Sequence, residues 1–302
     1  HFFKASAILA LAAVVGVCIN ISNLYHTYEY SKETMRGKSE LKQEGAAASQ
    51  TSSGLDRDYI TNWSYGIGET LTLLVPNVKG GGSGSTMSQS EAAMAKANPM
   101  YNGIYSQLPQ YFGEQPWTAG PVYVGAFVMF LFVLGCFIVK GPLKWALLGA
   151  TIFSILLSWG KNFMGLTDFF IDYVPMYNKF RAVSSILVIA EFTIPLLAIF
   201  ALKEILSKPD MLKQEKNCRG VIAALVLTAG VALILAVAPG TFFSSFITTQ
   251  EMTALKQALP AEHLAPFVAN LTEMREAIIA SDAWRSFFII VIGCLFLFLY
   301  QL

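Results

Sequence analysis

The sequence predicts an all-α integral membrane protein with about six transmembrane helices, joined by long extracytoplasmic loops that contain interfacial and amphipathic helices. The chain has 302 residues, of which 54% are hydrophobic and 14% are charged. Soluble globular domains carry about 25% charged residues. Here the apolar residues form runs of about 20, the length that a helix needs to cross a bilayer. Because lipid offers no hydrogen bonds to the backbone, such runs are expected to be helical.

The composition also argues against several other classes of protein. With 21 Lys and Arg against 20 Asp and Glu, the net charge is +1, so no overall field attracts nucleic acid. The four cysteines and three histidines are scattered along the chain, which indicates neither a disulfide framework nor a metal-ligand motif. We therefore expect membrane lipid, and not nucleic acid, as the surrounding partner.

Six segments have the length and apolarity of membrane spans. Lys and Arg are concentrated in the short loops after the second and fourth of them, which places those loops in the cytoplasm. Three longer connections, 24–120, 160–181 and 239–283, are then extracytoplasmic. The six predicted spans are 5–21, 121–139, 142–159, 182–206, 221–238 and 284–300.

The composition of the outer loops predicts two flexible linkers and two surface helices. Segments 45–56 and 79–98 are rich in Ala, Ser and Gly, which is typical of flexible linkers. Helical periodicity predicts two amphipathic helices lying on the membrane surface, 251–259 and 262–279, which are broken by Pro260 and Pro266.

Glu69 is the first candidate catalytic acid. It lies in a short apolar segment that ends at Pro76 and is too short to cross a bilayer. A carboxylate near a helix N-terminus is stabilised by the helix dipole, which explains Glu69 without any function. The alternative is an acid that faces an active cavity.

Asp168 and Asp172 are the second and third candidate acids, and three cations flank them. The two aspartates are four residues apart and would share one face of a helix, where like charges repel. Lys161, Lys179 and Arg181 bracket this pair and would suit a lipid-linked phosphate, which Arg can bind through two hydrogen bonds. In the alternative interpretation the acids and bases neutralise one another and anchor helix ends.

Glu191 is predicted to lie inside the membrane. It comes nine residues after Ala182, the start of the fourth predicted span, and Pro195 is expected to kink the helix beside it. A carboxylate at that depth must face the protein interior or a wet cavity. It is either a hydrogen-bond partner for another helix or a functional group.

Several of these stretches resemble the bacterial YfhO membrane-protein family, which is similar to the GT-C glycosyltransferases. Members of that family are longer, so the chain is expected to be an internal section. The resemblance is carried by Trp63-Ser with Glu69, by Leu74-Val-Pro76-Asn with Gly80-Gly, by Gly120-Pro-Val-Tyr-Val-Gly125, by Trp159-Gly-Lys-Asn-Phe163, and by Asn178-Lys-Phe-Arg181.

The resemblance implies a sugar transferase of the bacterial cytoplasmic (inner) membrane. Its donor would be a polyprenyl-phosphate sugar, bound by Lys161, Lys179 and Arg181, and its acceptor a cell-envelope glycan. A divalent cation is a candidate cofactor by the same resemblance. The acidic motif of GT-C enzymes lies in the first outer loop of the full chain, near its N-terminus. The catalytic acid is therefore expected either upstream of this section or among Asp168, Asp172 and Glu69.

Two other functions stay open at the level of sequence. Glu191 and Pro195 would suit a transporter or flippase that moves a lipid-linked saccharide across the membrane. An internal inverted repeat would favour this function, but the sequence contains no such repeat. Alternatively, the outer loops could recruit a partner to a non-catalytic membrane scaffold.

Overall fold

The protein is an all-α membrane protein. The computed structural model describes residues 2–34, 55–208 and 210–300. These residues form no β-strand and contain one isolated β-bridge, between Thr86 and Pro109. The α-helices of the described residues are α1 Phe2–Ile19, α2 Ile21–Lys32, α3 Arg57–Thr61, α4 Glu91–Met94, α5 Asn102–Tyr105, α6 Ala126–Ile138, α7 Pro142–Ser158, α8 Met164–Tyr173, α9 Val188–Ser207, α10 Glu215–Leu225, α11 Val231–Val237, α12 Thr249–Ala258 and α13 Ala261–Tyr300.

Three helices are long and apolar enough to cross a membrane, and up to five spans result if each of two bent helix pairs is counted as one. The three are Val183–Ser207, Glu215–Val237 and Ala261–Tyr300. The sequence predicts six. Over 121–139 the structure has only the 13-residue helix α6, because residues 121–125 are not helical and Gly125 has a φ of 101°.

The chain divides into two compact units. The first comprises His1–Asn62 and Thr167–Ala182, and the second comprises Trp63–Leu166 and Val183–Leu302. In the first unit, α1 is followed by α2 after a bend of 69° near Asn20. The large apolar side chains of α1 are exposed around the whole helix, which is typical of a helix that lies in lipid.

The second unit has a membrane-type core in which α9 packs against α6 and α7. Gly135 of α6 lies against Leu197 of α9, where an added Cβ would lie 3.1 Å from Leu197 Cγ. A small residue at this position lets the two helix backbones approach closely, as is common between helices in membranes. α10 packs on α6, and α11 packs on α13.

The helix α13 corrects the prediction for 262–279 and 284–300. These segments form one helix of 40 residues, about 60 Å long, which is twice the thickness of a bilayer core. Pro266 is the sixth residue of this helix and does not end it, although its missing N–H removes one backbone hydrogen bond. The N-terminal half does not lie free on a surface: Phe267 and Leu271 are fully buried in a second apolar cluster with Met87 and Tyr105.

Segment 79–98 also differs from its prediction as a linker. Its backbone bonds to a later strip of chain: Gln110 N donates to Ser85 O at 2.7 Å, and Phe112 N donates to Lys79 O at 3.0 Å. Gly80 has a φ of 82°, and a Cβ there would lie 1.9 Å from Gln110 O, so glycine is needed for the close approach. The other predicted linker, 45–56, lies outside the described residues except for its last two positions.

Candidate functional site

Glu69 is a buried carboxylate that is held by hydrogen bonds. Its side chain lies in a 3-10 helix, Gly68–Leu73, and is 2% exposed. Gly66 N donates to Oε2 at 2.6 Å, and the Tyr111 hydroxyl donates to Oε1 at 2.6 Å. A Cβ at Gly113 would lie 1.9 Å from Oε1, so the chain closes directly over the carboxylate. Glu69 therefore acts as a fixed internal acceptor.

The crevice beside Glu69 holds two phenols and an amine. Burial raises the pKa of Tyr111, and neighbouring Glu69 raises it further; burial also raises the pKa of Tyr65. Both phenols are thus neutral hydrogen-bond donors at neutral pH. The Lys79 ammonium lies 4.2 Å from the ring centre of Phe243, and burial lowers its pKa. With a volume of about 10 Å³, the crevice admits one water molecule and no sugar.

Glu191 lies in an environment opposite to that of Glu69. Residues Val183–Leu187 form a 3-10 turn, so α9 begins at Val188 and Glu191 falls in its first turn. The carboxylate is exposed near the beginning of the span, where the dipole of α9 favours its charge. Glu191 is also the ninth residue of the candidate span Val183–Ser207, so its depth in the membrane stays a prediction. The helix α9 continues through Pro195 without a break.

Glu191 lines an open cavity of about 210 Å³ in the second unit. Most of the other side chains around this cavity are hydroxyls and amides, with apolar groups from Val122, Leu187 and Val188. In the described part of the chain Glu191 forms no ion pair, so its carboxylate can accept a proton or a hydrogen bond from a ligand. The polar lining groups are Tyr65, Gln115, Thr118, Ser184, Ser185 and Glu191.

Asp168 and Asp172 share a partner that sequence reasoning missed. Both belong to the first unit, where Arg57 Nη1 bonds to Asp168 Oδ1 and Arg57 Nη2 lies 2.7 Å from Asp172 Oδ1. The guanidinium thus bridges two carboxylates on successive turns of α8. Arg57 is 111 residues from Asp168 in the sequence, and nothing in the local pattern indicated the pairing.

The three predicted phosphate-binding cations are divided between the units. Lys161 belongs to the second unit, where its Nζ lies 3.8 Å from Glu114 Oε2. Lys179 and Arg181 belong to the first unit, in which Lys179 ends a 3-10 turn and Arg181 Nη1 donates to the Tyr59 hydroxyl at 2.8 Å.

The turn that carries Lys161 is joined to residues beside the Glu191 cavity. Asn162 Nδ2 donates to Tyr65 O at 3.0 Å and to Glu114 Oε2 at 2.8 Å, and Lys161 N donates to Ser64 Oγ at 2.8 Å. Tyr65 lines the cavity, and Glu114 precedes Gln115, which also lines it. The Lys161 turn is therefore held next to one wall of the cavity.

Fold and site together define a membrane protein with a polar, carboxylate-bearing cavity near the beginning of an apolar span. Among the described residues, no group of three or more His, Cys, Asp or Glu side chains could hold a metal ion. No known protein family, curated protein or solved structure matches the chain. The sequence resemblance to the YfhO family therefore stays a prediction.

Proposed function

We propose that this chain acts in a GT-C-like membrane glycosyltransferase of the bacterial cytoplasmic membrane. The enzyme would transfer a sugar from a polyprenyl-phosphate donor to a cell-envelope acceptor on the extracytoplasmic side. The observation that supports this proposal best is the Glu191 cavity, which combines an exposed carboxylate, several hydroxyls and an apolar wall at one end of a candidate span.

The proposed chemistry assigns the general base to Glu191. The acceptor hydroxyl attacks the anomeric carbon of the donor sugar and passes its proton to the Glu191 carboxylate. The bond between that carbon and the phosphate oxygen breaks, and the polyprenyl phosphate leaves with the bonding electron pair. Glu69 is buried, and Asp168 and Asp172 are paired with Arg57, so Glu191 is the best-placed carboxylate among these candidates.

Lys161 is the cation that fits the donor phosphate best. Its side chain is exposed beside one wall of the cavity, and its contact of 3.8 Å with Glu114 is loose enough to be exchanged for a phosphate. A positive charge held there stabilises the charge that develops on the leaving phosphate. Lys179 and Arg181 remain proposed donor-binding residues from the sequence resemblance alone.

The test uses the protein with any sequence that flanks this chain, reconstituted in liposomes with a radiolabelled polyprenyl-phosphate hexose and cell-envelope glycans. We expect label in the glycan, and a loss of about 10²- to 10⁴-fold in Glu191→Gln, the usual contribution of a general base. Glu204→Gln on the same helix is the matched control and should keep its rate, because Glu204 pairs with Lys208 away from the cavity lining.

Two results would overturn the proposal. Labelled lipid that crosses the bilayer with no label in the glycan would indicate a flippase. A Glu191→Gln variant that transfers at the native rate would exclude Glu191 as the base.

A further inference from the structure

A second cavity of about 240 Å³ lies in the second unit, against the N-terminal half of α13. Its lining residues all differ from those of the Glu191 cavity. Ala92 and Ile278 supply the apolar part of the wall. The polar lining groups are Asn77, Gln89, Ser90, Gln110, Ser281 and Asp282.

The charge in this cavity is neutralised by the protein itself. Asp282 is 6% exposed, and its Oδ1 forms an ion pair with Arg285 Nη2 at 2.6 Å. The other oxygen, Oδ2, accepts a hydrogen bond from Asn77 N at 2.9 Å. A cation bound here would be opposed by Arg285 and an anion by Asp282, so the site favours a ligand without net charge.

The amide and hydroxyl groups of the wall are fixed and still have bonding capacity. Gln110 Nε2 donates to Thr86 O at 2.7 Å, and Gln89 Oε1 accepts from Thr86 N at 3.2 Å. Ser90 Oγ accepts from Ala93 N at 3.3 Å. These bonds orient the three side chains and leave Gln110 Oε1, Gln89 Nε2 and the Ser90 hydroxyl proton for a ligand.

We propose that this cavity binds one uncharged sugar ring. Its volume lies below the roughly 300–1,000 Å³ of pockets for drug-sized ligands, which suits a single ring. Fixed donors and acceptors match sugar hydroxyls, and Ala92 and Ile278 offer an apolar surface to the C–H face of the ring. That the sugar belongs to the glycan acceptor rests on the proposed transferase, whereas binding itself does not.

Binding is measured without any donor, by saturation-transfer NMR on the detergent-purified protein. The probes are the methyl glycosides of glucose, galactose, mannose and N-acetylglucosamine. Ala92→Phe fills the cavity from one wall and Ser281→Leu fills it from α13, and both should weaken binding by at least tenfold. Ala95→Phe is the matched control on the exposed end of α4 and should bind as the native protein does.

The outcomes separate this proposal from the transferase. Binding that is lost in both cavity variants, with native thermal unfolding midpoints, supports the sugar site even if no transfer occurs. Failure of all four glycosides to bind, or equal binding by Ala92→Phe and the native protein, overturns it. Transfer to glycan that Ala92→Phe leaves unchanged overturns the acceptor role.

Discussion

Glu69 and Glu191 are both acidic residues of the second unit, and both were candidates for function, but their surroundings differ. Glu69 is covered by the chain and receives hydrogen bonds from a backbone N–H and a phenol. Glu191 is exposed in the first turn of α9 and lines a cavity large enough for a ligand. A buried carboxylate whose hydrogen bonds are made within the protein stabilises the fold, whereas an exposed carboxylate without an ion-pair partner can exchange protons with a substrate.

Removing each carboxylate in turn should affect stability very differently. Glu69→Leu should lower the free energy of unfolding by about 3 kcal/mol or more, because it leaves Gly66 N and the Tyr111 hydroxyl buried without an acceptor. Each hydrogen bond to a charged group contributes about 1.5–3 kcal/mol. Glu191→Leu should change stability by less than about 0.5 kcal/mol, as surface substitutions do. Denaturant unfolding in mixed micelles measures both.

Glu69→Gln is the control for the first prediction. It keeps an acceptor oxygen and a similar shape, so its stability should fall between those of the native protein and Glu69→Leu. Equal stability of the Glu69→Leu and Glu191→Leu variants would contradict the assignment of Glu69 as an internal anchor.

The spans could be predicted from the sequence more fully than the outer segments. Long apolar runs such as 183–207 leave the backbone a helical conformation in lipid, so their existence follows from composition. Segment 79–98 could not be predicted in this way. Glycine and serine suit both a flexible linker and a tight turn, and here the turn is decided by contacts with Gln110 and Phe112.

The candidate site was predicted only in part, for a similar reason. Glu191 could be selected because a charge is rare in an apolar run. Its place in the first turn of α9 depends on the 3-10 turn before that helix, which composition does not distinguish from an α-helix. Tyr65 reaches the same cavity from more than 100 residues earlier in the chain. The pairing of Asp172 with Arg57 also joins distant residues, so spacing alone could not reveal it.

The Tyr111 phenol that donates to Glu69 should make stability depend on pH in the alkaline range. A phenol whose pKa is raised on folding stabilises the protein fully below its unfolded value, near pH 10, and this contribution is lost as the pH rises above it. Between pH 10.5 and 11.5 the free energy of unfolding should therefore fall by up to about 1.4 kcal/mol per pH unit for each such group, among them Tyr111 and Tyr65.

Tyr111→Phe tests the source of that slope. It should be less stable than the native protein at pH 7, since Glu69 loses a donor, and should show a smaller decline between pH 10.5 and 11.5. Lys79 contributes in the opposite direction below pH 10.5, because its pKa is lowered, so the comparison is made above that value. An unchanged slope in Tyr111→Phe would show that Tyr111 does not remain neutral in the folded protein.

The third prediction concerns Asp168 and Asp172, whose carboxylates are more than one third exposed and share the Arg57 guanidinium. Partly exposed ion pairs contribute about 0–1 kcal/mol, and one guanidinium can keep one partner when the other is lost. Asp172→Asn should therefore lower the free energy of unfolding by less than about 1 kcal/mol and leave sugar transfer unchanged. Asp168→Asn should have the same small effect as Asp172→Asn. The double variant should be less stable than the sum of the two single changes indicates, because Arg57 then loses both partners.

A loss of transfer in either single variant, with native stability, would instead make an aspartate of α8 the catalytic acid and reduce Glu191 to a lining group.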